Sequence, residues 1–261
     1  MSQPVLEFRE VGKRFYKGDT EILALERASF GVGDGEFLAV VGPSGCGKST
    51  LLNLAAGLNP PSYGEVLYRG QAVRGINTKV GYITQRDNLL EWATTYDNIV
   101  LPLRIRGMSK AQMKELADKF LAMTGLTEFA RHFPAELSGG MRKRVALART
   151  LIYGPELVMM DEPFSALDAH VKMLMHEELL RIWETDRRTI LFITHDLTEA
   201  ITLSDRIVVM SARPGKVKLV LPVDLPRPRD PFLLHTRPEF IRLYEQIWSA
   251  LKEDIRRGDN V

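Results

Sequence analysis

Gly42-Pro43-Ser44-Gly45-Cys46-Gly47-Lys48-Ser49-Thr50 is the stretch on which the reading of this 261-residue chain turns. It matches G-x-x-x-x-G-K-[ST] and follows an apolar run at 36–41 that is predicted to be a strand. From Lys48 onward the residues favour helix, with Leu51, Leu52 and Ala55 on one face and Gly57 placed to end it. A glycine loop between a strand and a helix curls its backbone so that successive N–H groups face inward at the positive end of the helix. That arrangement is a nest for phosphate oxygens. In such a nest Lys48 would reach the outer phosphates of a nucleotide, and the Ser49 hydroxyl would ligate Mg²⁺.

Outward from the loop, short strands are predicted at 5–8, 28–32, 64–68 and 80–83, with a Gly33-Asp34-Gly35 turn before 36–41. From about 86 to 154 the pattern turns helical. Met113, Leu116, Ala117, Phe120 and Leu121 follow helical spacing, Ser109 and Gln112 suit a capping box, and Gly125 a stop. Met141, Val145, Ala148 and Ile152 predict a second helix that begins just after Ser138-Gly139-Gly140 and turns Arg142, Lys143 and Arg144 to solvent. Strands at 157–160, 189–194 and 206–211 then alternate with helices at 171–183 and 197–203, which argues for a mostly parallel α/β core. After Ala212 come Pro214, Pro222, Pro226, Pro228 and Pro231 and then a last amphipathic segment at 240–251, read as an appendage.

Composition removes several classes of function. The 35 Lys and Arg nearly balance 33 Asp and Glu, so nucleic acid is not an expected partner. With 45% hydrophobic residues the chain has enough for a core. Cys46, the single cysteine, allows no internal disulfide, and no Cys/His cluster has zinc spacing. No signal peptide is expected at the N-terminus, and no run approaches the roughly 18 to 20 apolar residues of a spanning helix. A membrane role would therefore be exercised from the side.

Leu157-Val158-Met159-Met160 is a buried-type strand that delivers Asp161 and Glu162 to its carboxyl end, where parallel sheets bind ligands. Asp161 would orient the Mg²⁺ shell, and Glu162 would polarise an attacking water. Two acids after a strand also suit a turn or a helix cap; the upstream phosphate loop favours the catalytic reading.

Leu137-Ser138-Gly139-Gly140-Met141 followed by Arg142-Lys143-Arg144-Val145-Ala146-Leu147-Ala148-Arg149 closely resembles the signature of ATP-binding-cassette (ABC) ATPases. The order agrees as well: phosphate loop, Gln85, signature, acid pair, Ser165-Ala166-Leu167-Asp168, then His195. The likeness covers about 6–211. It implies a mostly parallel P-loop core sheet, an N-terminal antiparallel β subdomain and an inserted helical subdomain at about 86–154, all within an ATPase domain at 1–215, with 216–261 appended. It also implies a head-to-tail homodimer in which each ATP is held by one copy's phosphate loop and capped by Ser138, Gly139, Gly140 and Met141 of the other. A helix starting after Ser138 suits that cap, since its hydroxyl and N–H groups could address the γ-phosphate; an ordinary helix N-cap is the competing role.

The resemblance further assigns Gln85 to Mg²⁺ or water, His195 to a switch contact with the γ-phosphate, Asp168 to coupling between sites, and Phe15 to stacking on adenine. Each has a plainer alternative: a surface loop, a structural histidine, a helix cap, and core packing, with Tyr16 the adjacent aromatic. Met141 stands where the commonest signature has Gln, and Glu91 where related transporters often have Pro. The Met variant, the stretch 90–103 and Ser211-Ala212-Arg213-Pro214-Gly215 resemble the import ATPases of the nitrate, sulfonate and taurine group. Such a subunit would sit on the cytoplasmic face of the inner or plasma membrane under two permease subunits, served by an extracytoplasmic solute-binding protein, with the region 85–106 meeting the permeases. The alternatives are a soluble ABC ATPase that remodels a macromolecular complex, and the ATPase of a lipid or other exporter.

Overall fold

The computed structural model describes residues 3–165 and 167–258. β1 (Leu6–Lys17) and β2 (Thr20–Val32) form a hairpin in which Lys17 faces Thr20 across Gly18 and Asp19. Both strands run well beyond the predicted 5–8 and 28–32. Past Arg9 the ribbon is mostly exposed and held by its backbone ladder, so apolar spacing could not reveal it. β3 (Phe37–Val41) leaves this layer, whereas β4 (Tyr63–Tyr68) and β5 (Gln71–Ala72) return to it, giving an antiparallel sheet ordered β2-β1-β4-β5.

The second sheet places β3 at its centre. β6 (Val80–Ile83), β7 (Leu157–Asp161), β8 (Thr189–Thr194) and β9 (Arg206–Met210) lie parallel with it, and β10 (Val217–Pro222) closes one edge antiparallel. The order is β10-β9-β3-β8-β7-β6. Every residue of β3 is buried, as a strand covered on both faces requires, and each such aliphatic side chain contributes about 1.5–3 kcal/mol. The parallel direction brings the ends of β3, β7 and β8 together, and there the phosphate loop, the acid pair and His195 emerge.

α1 (Lys48–Ala55) leaves the phosphate loop. α2 (Thr95–Ile105), α3 (Lys110–Met123) and α4 (Gly139–Leu151) make up the helical insertion, and the capping box of Ser109 with Gln112 is present. α5 (Ala169–Asp186) and α6 (Leu197–Leu203) alternate with the strands, and α7 (Pro238–Gly258) follows the proline-rich segment.

One expectation for α4 is corrected. Lys143 is 7% exposed rather than solvated: its ammonium lies 2.7 Å from Asp87 and donates to the Gln85 carbonyl at 2.5 Å. Arg142 also reaches Asp87, at 3.4 Å, and donates to the Leu137 carbonyl. Helical spacing places these cations off the apolar stripe, but the loop carrying Gln85 and Asp87 folds over that flank. Lys143→Met should cost about 2 kcal/mol, because it removes the nearer of the two cations on Asp87 and leaves the Gln85 carbonyl without its charged donor. A urea melt of the variant that matches the parent would refute this.

The tail is not an appendage in space. A boundary at 215 falls in the turn joining β9 to β10, and Leu221, Val223, Leu225, Ile247 and Leu251 complete the same core as the helical insertion. Arg229, 6% exposed, donates to the carbonyls of Ile201, Thr202, Ser204, Val223 and Leu225. Burial lowers its pKa to about 10, so it stays charged at neutral pH while capping the end of α6. The segment read as an appendage thus holds an edge strand and a packed strap.

Candidate functional site

The phosphate loop turns at Gly45 and Gly47, whose φ values are +73° and +99°. At Gly47 a Cβ would sit 2.7 Å from Leu25 and 3.0 Å from the Ala24 carbonyl, so glycine is required there for both torsion and space. α1 starts at Lys48 with no side chain capping it, which leaves its first N–H groups for a ligand. The Lys48 ammonium donates to the carbonyls of Gly42 at 2.8 Å and Pro43 at 3.0 Å, and lies 3.8 Å from Glu162 Oε1. The Ser49 hydroxyl donates to Asp161 Oδ1 at 3.1 Å.

Cys46 is divided between loop and core. Its backbone belongs to the loop, but its thiol is buried in the core and its pKa is pushed up by that burial. The nest is lined by backbone, and the Cys46 side chain points away from it.

At the end of β7, Glu162 has φ +45°, a left-handed conformation uncommon for a residue with a side chain. Its N–H donates to the Ile193 carbonyl of β8, which fixes the turn, and its Oε2 lies 2.9 Å from His195 Nδ1. One carboxylate thus bridges the phosphate-loop lysine and the histidine. Burial raises the pKa of Asp161, with the Ser49 hydrogen bond pulling the other way. Among the described residues no group of three or more His, Cys, Asp or Glu could hold a metal ion. One serine hydroxyl beside one carboxylate suits Mg²⁺, which keeps waters and leans on phosphate oxygens.

A cleft of about 270 Å³ opens over the loop, with Phe15, Ala24, Gly45, Lys48, Glu162 and Arg213 in its wall. Alternation along β1 decides between the aromatics: Phe15 lines the cleft and Tyr16 stands out in solvent. Arg213 was not singled out from the sequence as a site residue. It reaches the cleft because Gly215 is bonded to the backbone of Ala24 and Glu26, a long-range contact without a sequence signal beyond the Arg-Pro-Gly turn.

Other residues stand apart. The Gln85 amide donates to the Ser165 hydroxyl at 3.2 Å. Ser138 caps α4 by accepting from the Met141 N–H at 3.3 Å, and Asp168 caps α5 by accepting from Val171 N–H at 3.0 Å; the bland capping roles are thus filled in this conformation. A Cβ on Gly140 would meet Val171 at 2.9 Å, so the signature backbone packs against the start of α5. Ser138, Gly139, Gly140 and Met141 do not line the cleft over the phosphate loop. Ala166 lies outside the described residues.

Comparison with known proteins gives a consistent picture. The family model described as ABC transporter matches residues 25–165. An ATP-binding protein of Brucella abortus is 45% identical over 249 residues, covering 95% of this chain and 94% of that protein. The aliphatic sulfonates import ATP-binding protein of Bacillus cereus is 41% identical over 224 residues, covering 86% and 88%. Among solved structures, the dimeric post-hydrolysis state of the ATP-binding cassette MJ0796 bound to ADP and Pi superposes with a TM-score of 0.75 at 31% identity, covering 84% of this chain and 99% of that one.

Proposed function

Since this chain belongs to the ABC transporter family of ATPases, whose reaction is ATP hydrolysis coupled to transport, we propose that two copies of it clamp two ATP molecules head to tail and drive an importer for a small solute. The observation that carries this reading is the division of the site. Phosphate loop, acid pair and histidine converge in one protomer, while the signature residues lie outside the cleft, which supports a second copy as the one that presents them to the nucleotide.

In this reading the loop N–H groups of Gly42, Ser44, Gly45, Cys46, Gly47 and Thr50 cradle the phosphates, Pro43 shapes the loop without donating, and Phe15 stacks on adenine. Ser49, Asp161 and Gln85 would hold Mg²⁺. The bound ion supplies neutralisation of phosphate charge. Lys48 exchanges its carbonyl and Glu162 contacts for phosphate oxygens, which frees Glu162 Oε1 to take a proton from water. His195 keeps Oε2 and so orients the carboxylate. From the partner copy, Ser138, Gly139, Gly140 and Met141 cap the γ-phosphate, and Asp168 couples the sites. Closure is favoured with ATP because both copies touch its terminal phosphate, and hydrolysis removes that bridge.

The importer reading draws on the likeness to the sulfonate import protein and on the surface at 85–106, where Trp92 is 78% and Ile105 77% exposed. Large exposed apolar side chains mark a contact surface, here assigned to two permease subunits. Among the described residues no helix is long and apolar enough to cross a membrane, so attachment would be peripheral, on the cytoplasmic face, with a solute-binding protein on the far side. The solute class, sulfonate, nitrate or taurine, follows the likeness alone. A tagged chain is expected to recover integral-membrane subunits from mild detergent; recovery of ribosomes or DNA in their place would defeat the transporter reading.

A further inference from the structure

Behind the strand end that carries His195 lies a buried charged cluster that the phosphate chemistry leaves unused. Glu199, on the first turn of α6, is 2% exposed, and its Oε2 accepts a hydrogen bond from the Thr194 hydroxyl at 2.6 Å. Its Oε1 lies 3.3 Å from the Lys172 ammonium and 3.7 Å from His176 Nε2. The same Thr194 oxygen accepts from the Asp196 N–H at 3.0 Å, and Lys172 sits 3.5 Å from Asp196 Oδ2. The residues on both sides of His195 are therefore tethered to one carboxylate.

The groups facing Glu199 come from elsewhere in the chain. Lys172 and His176 are one turn apart on α5, whose N-cap is Asp168. The His176 ring meets Phe164, two residues after Glu162, edge-on at 5.3 Å. The cluster thus touches the histidine loop, the segment after the acid pair and the helix that begins at Asp168. Burial opposes the charge on Glu199, yet His176, the Thr194 hydroxyl and Lys172 together hold it below the usual carboxylate range. Apolar side chains of similar size would fill the space at least as favourably, so packing alone gives no reason for ions here. Glu199 Oε1 and His176 Nε2 are also buried without a hydrogen-bond partner, and closing their gap by less than about 1 Å would make one.

We propose that Glu199, with Lys172 and His176, is a positioning cluster that sets His195 against Glu162 and ties that setting to the Asp168 loop, so that each site in the pair responds to the other. None of the three touches a reacting atom. The inference rests on the proposed role of His195 and on the shared sites, and its test separates the two.

Full-length Glu199→Gln, Lys172→Met, Lys172→Arg and His195→Ala are compared for ATP affinity, kcat, the Hill coefficient for ATP and Tm. Glutamine keeps the bond from Thr194 but not the charge, and Lys172 is close enough to the surface to replace if Glu199→Gln fails to fold. Glu199→Gln and Lys172→Met are expected to lower kcat by about 10- to 100-fold, with ATP affinity within about two-fold, because a small displacement of an oriented group costs rate rather than binding. Their Hill coefficient should fall toward one, and Lys172→Arg should restore both quantities. If His195→Ala turns over like the parent, the reading of His195 fails first. If His195→Ala is impaired while Glu199→Gln and Lys172→Met keep the parent kcat and Hill coefficient, whatever their Tm, the cluster is packing only and the proposal is overturned. A lowered kcat with an unchanged Hill coefficient overturns the link between sites.

Discussion

Glu162→Gln is expected to lower ATP turnover by about 10²- to 10⁴-fold, the range for loss of a general base, while ATP still binds. The reason lies in the two oxygens of that side chain: Oε2 faces His195 Nδ1 at 2.9 Å and Oε1 faces the Lys48 ammonium at 3.8 Å. Glutamine has the same shape and retains one oxygen, so the turn at the end of β7 and the phosphate loop should survive. What it lacks is a lone pair basic enough to take a proton from water. Binding without hydrolysis should hold the closed state, so the variant should sediment as a dimer with ATP and as a monomer without it. Phosphate release measured beside sedimentation checks both parts; parent-like turnover would remove Glu162 from the mechanism.

Lys48→Ala should weaken ATP binding by at least about 10²-fold. An ammonium donating two charge-assisted hydrogen bonds to phosphate contributes about 1.5–3 kcal/mol per bond, and about 3 kcal/mol in all corresponds to that factor. Lys48 is nearly buried, and its present partners are two loop carbonyls and Glu162, all weaker attractions than a polyphosphate. The variant therefore loses the cation that both draws the phosphates in and releases Glu162. Equilibrium ATP titration with a Tm check distinguishes lost contact from lost fold; an unaltered titration by a folded variant contradicts the phosphate-loop assignment.

Much of this molecule was legible before any coordinates. The phosphate loop, the acids at the end of β7 and the helix after Ser138 are local patterns, in which spacing within a few residues determines backbone shape and the direction of side chains. The core strands could be read for the same reason, because a strand buried on both faces is a short apolar run wherever it occurs. Illegible features all depended on distant segments. The β1–β2 ribbon is held by backbone pairing that side chains do not announce, and Lys143 is covered by a loop some 58 residues away in sequence. Arg213 reaches the cleft only because Gly215 is pinned to β2, and the tail enters the core only by pairing with β9.

The residue order alone thus determined a P-loop α/β core and which side chains stand at the glycine loop and the end of β7, because backbone torsion, helix start and strand alternation are short-range properties. Tertiary structure decided which of those side chains meet. It put the Cys46 thiol into the core, set the two oxygens of Glu162 against Lys48 and His195, and left Ser138 to Met141 outside the cleft. The physical reason is that ion pairing and burial depend on separation in space, and the sheet order that sets those separations joins strands far apart along the chain.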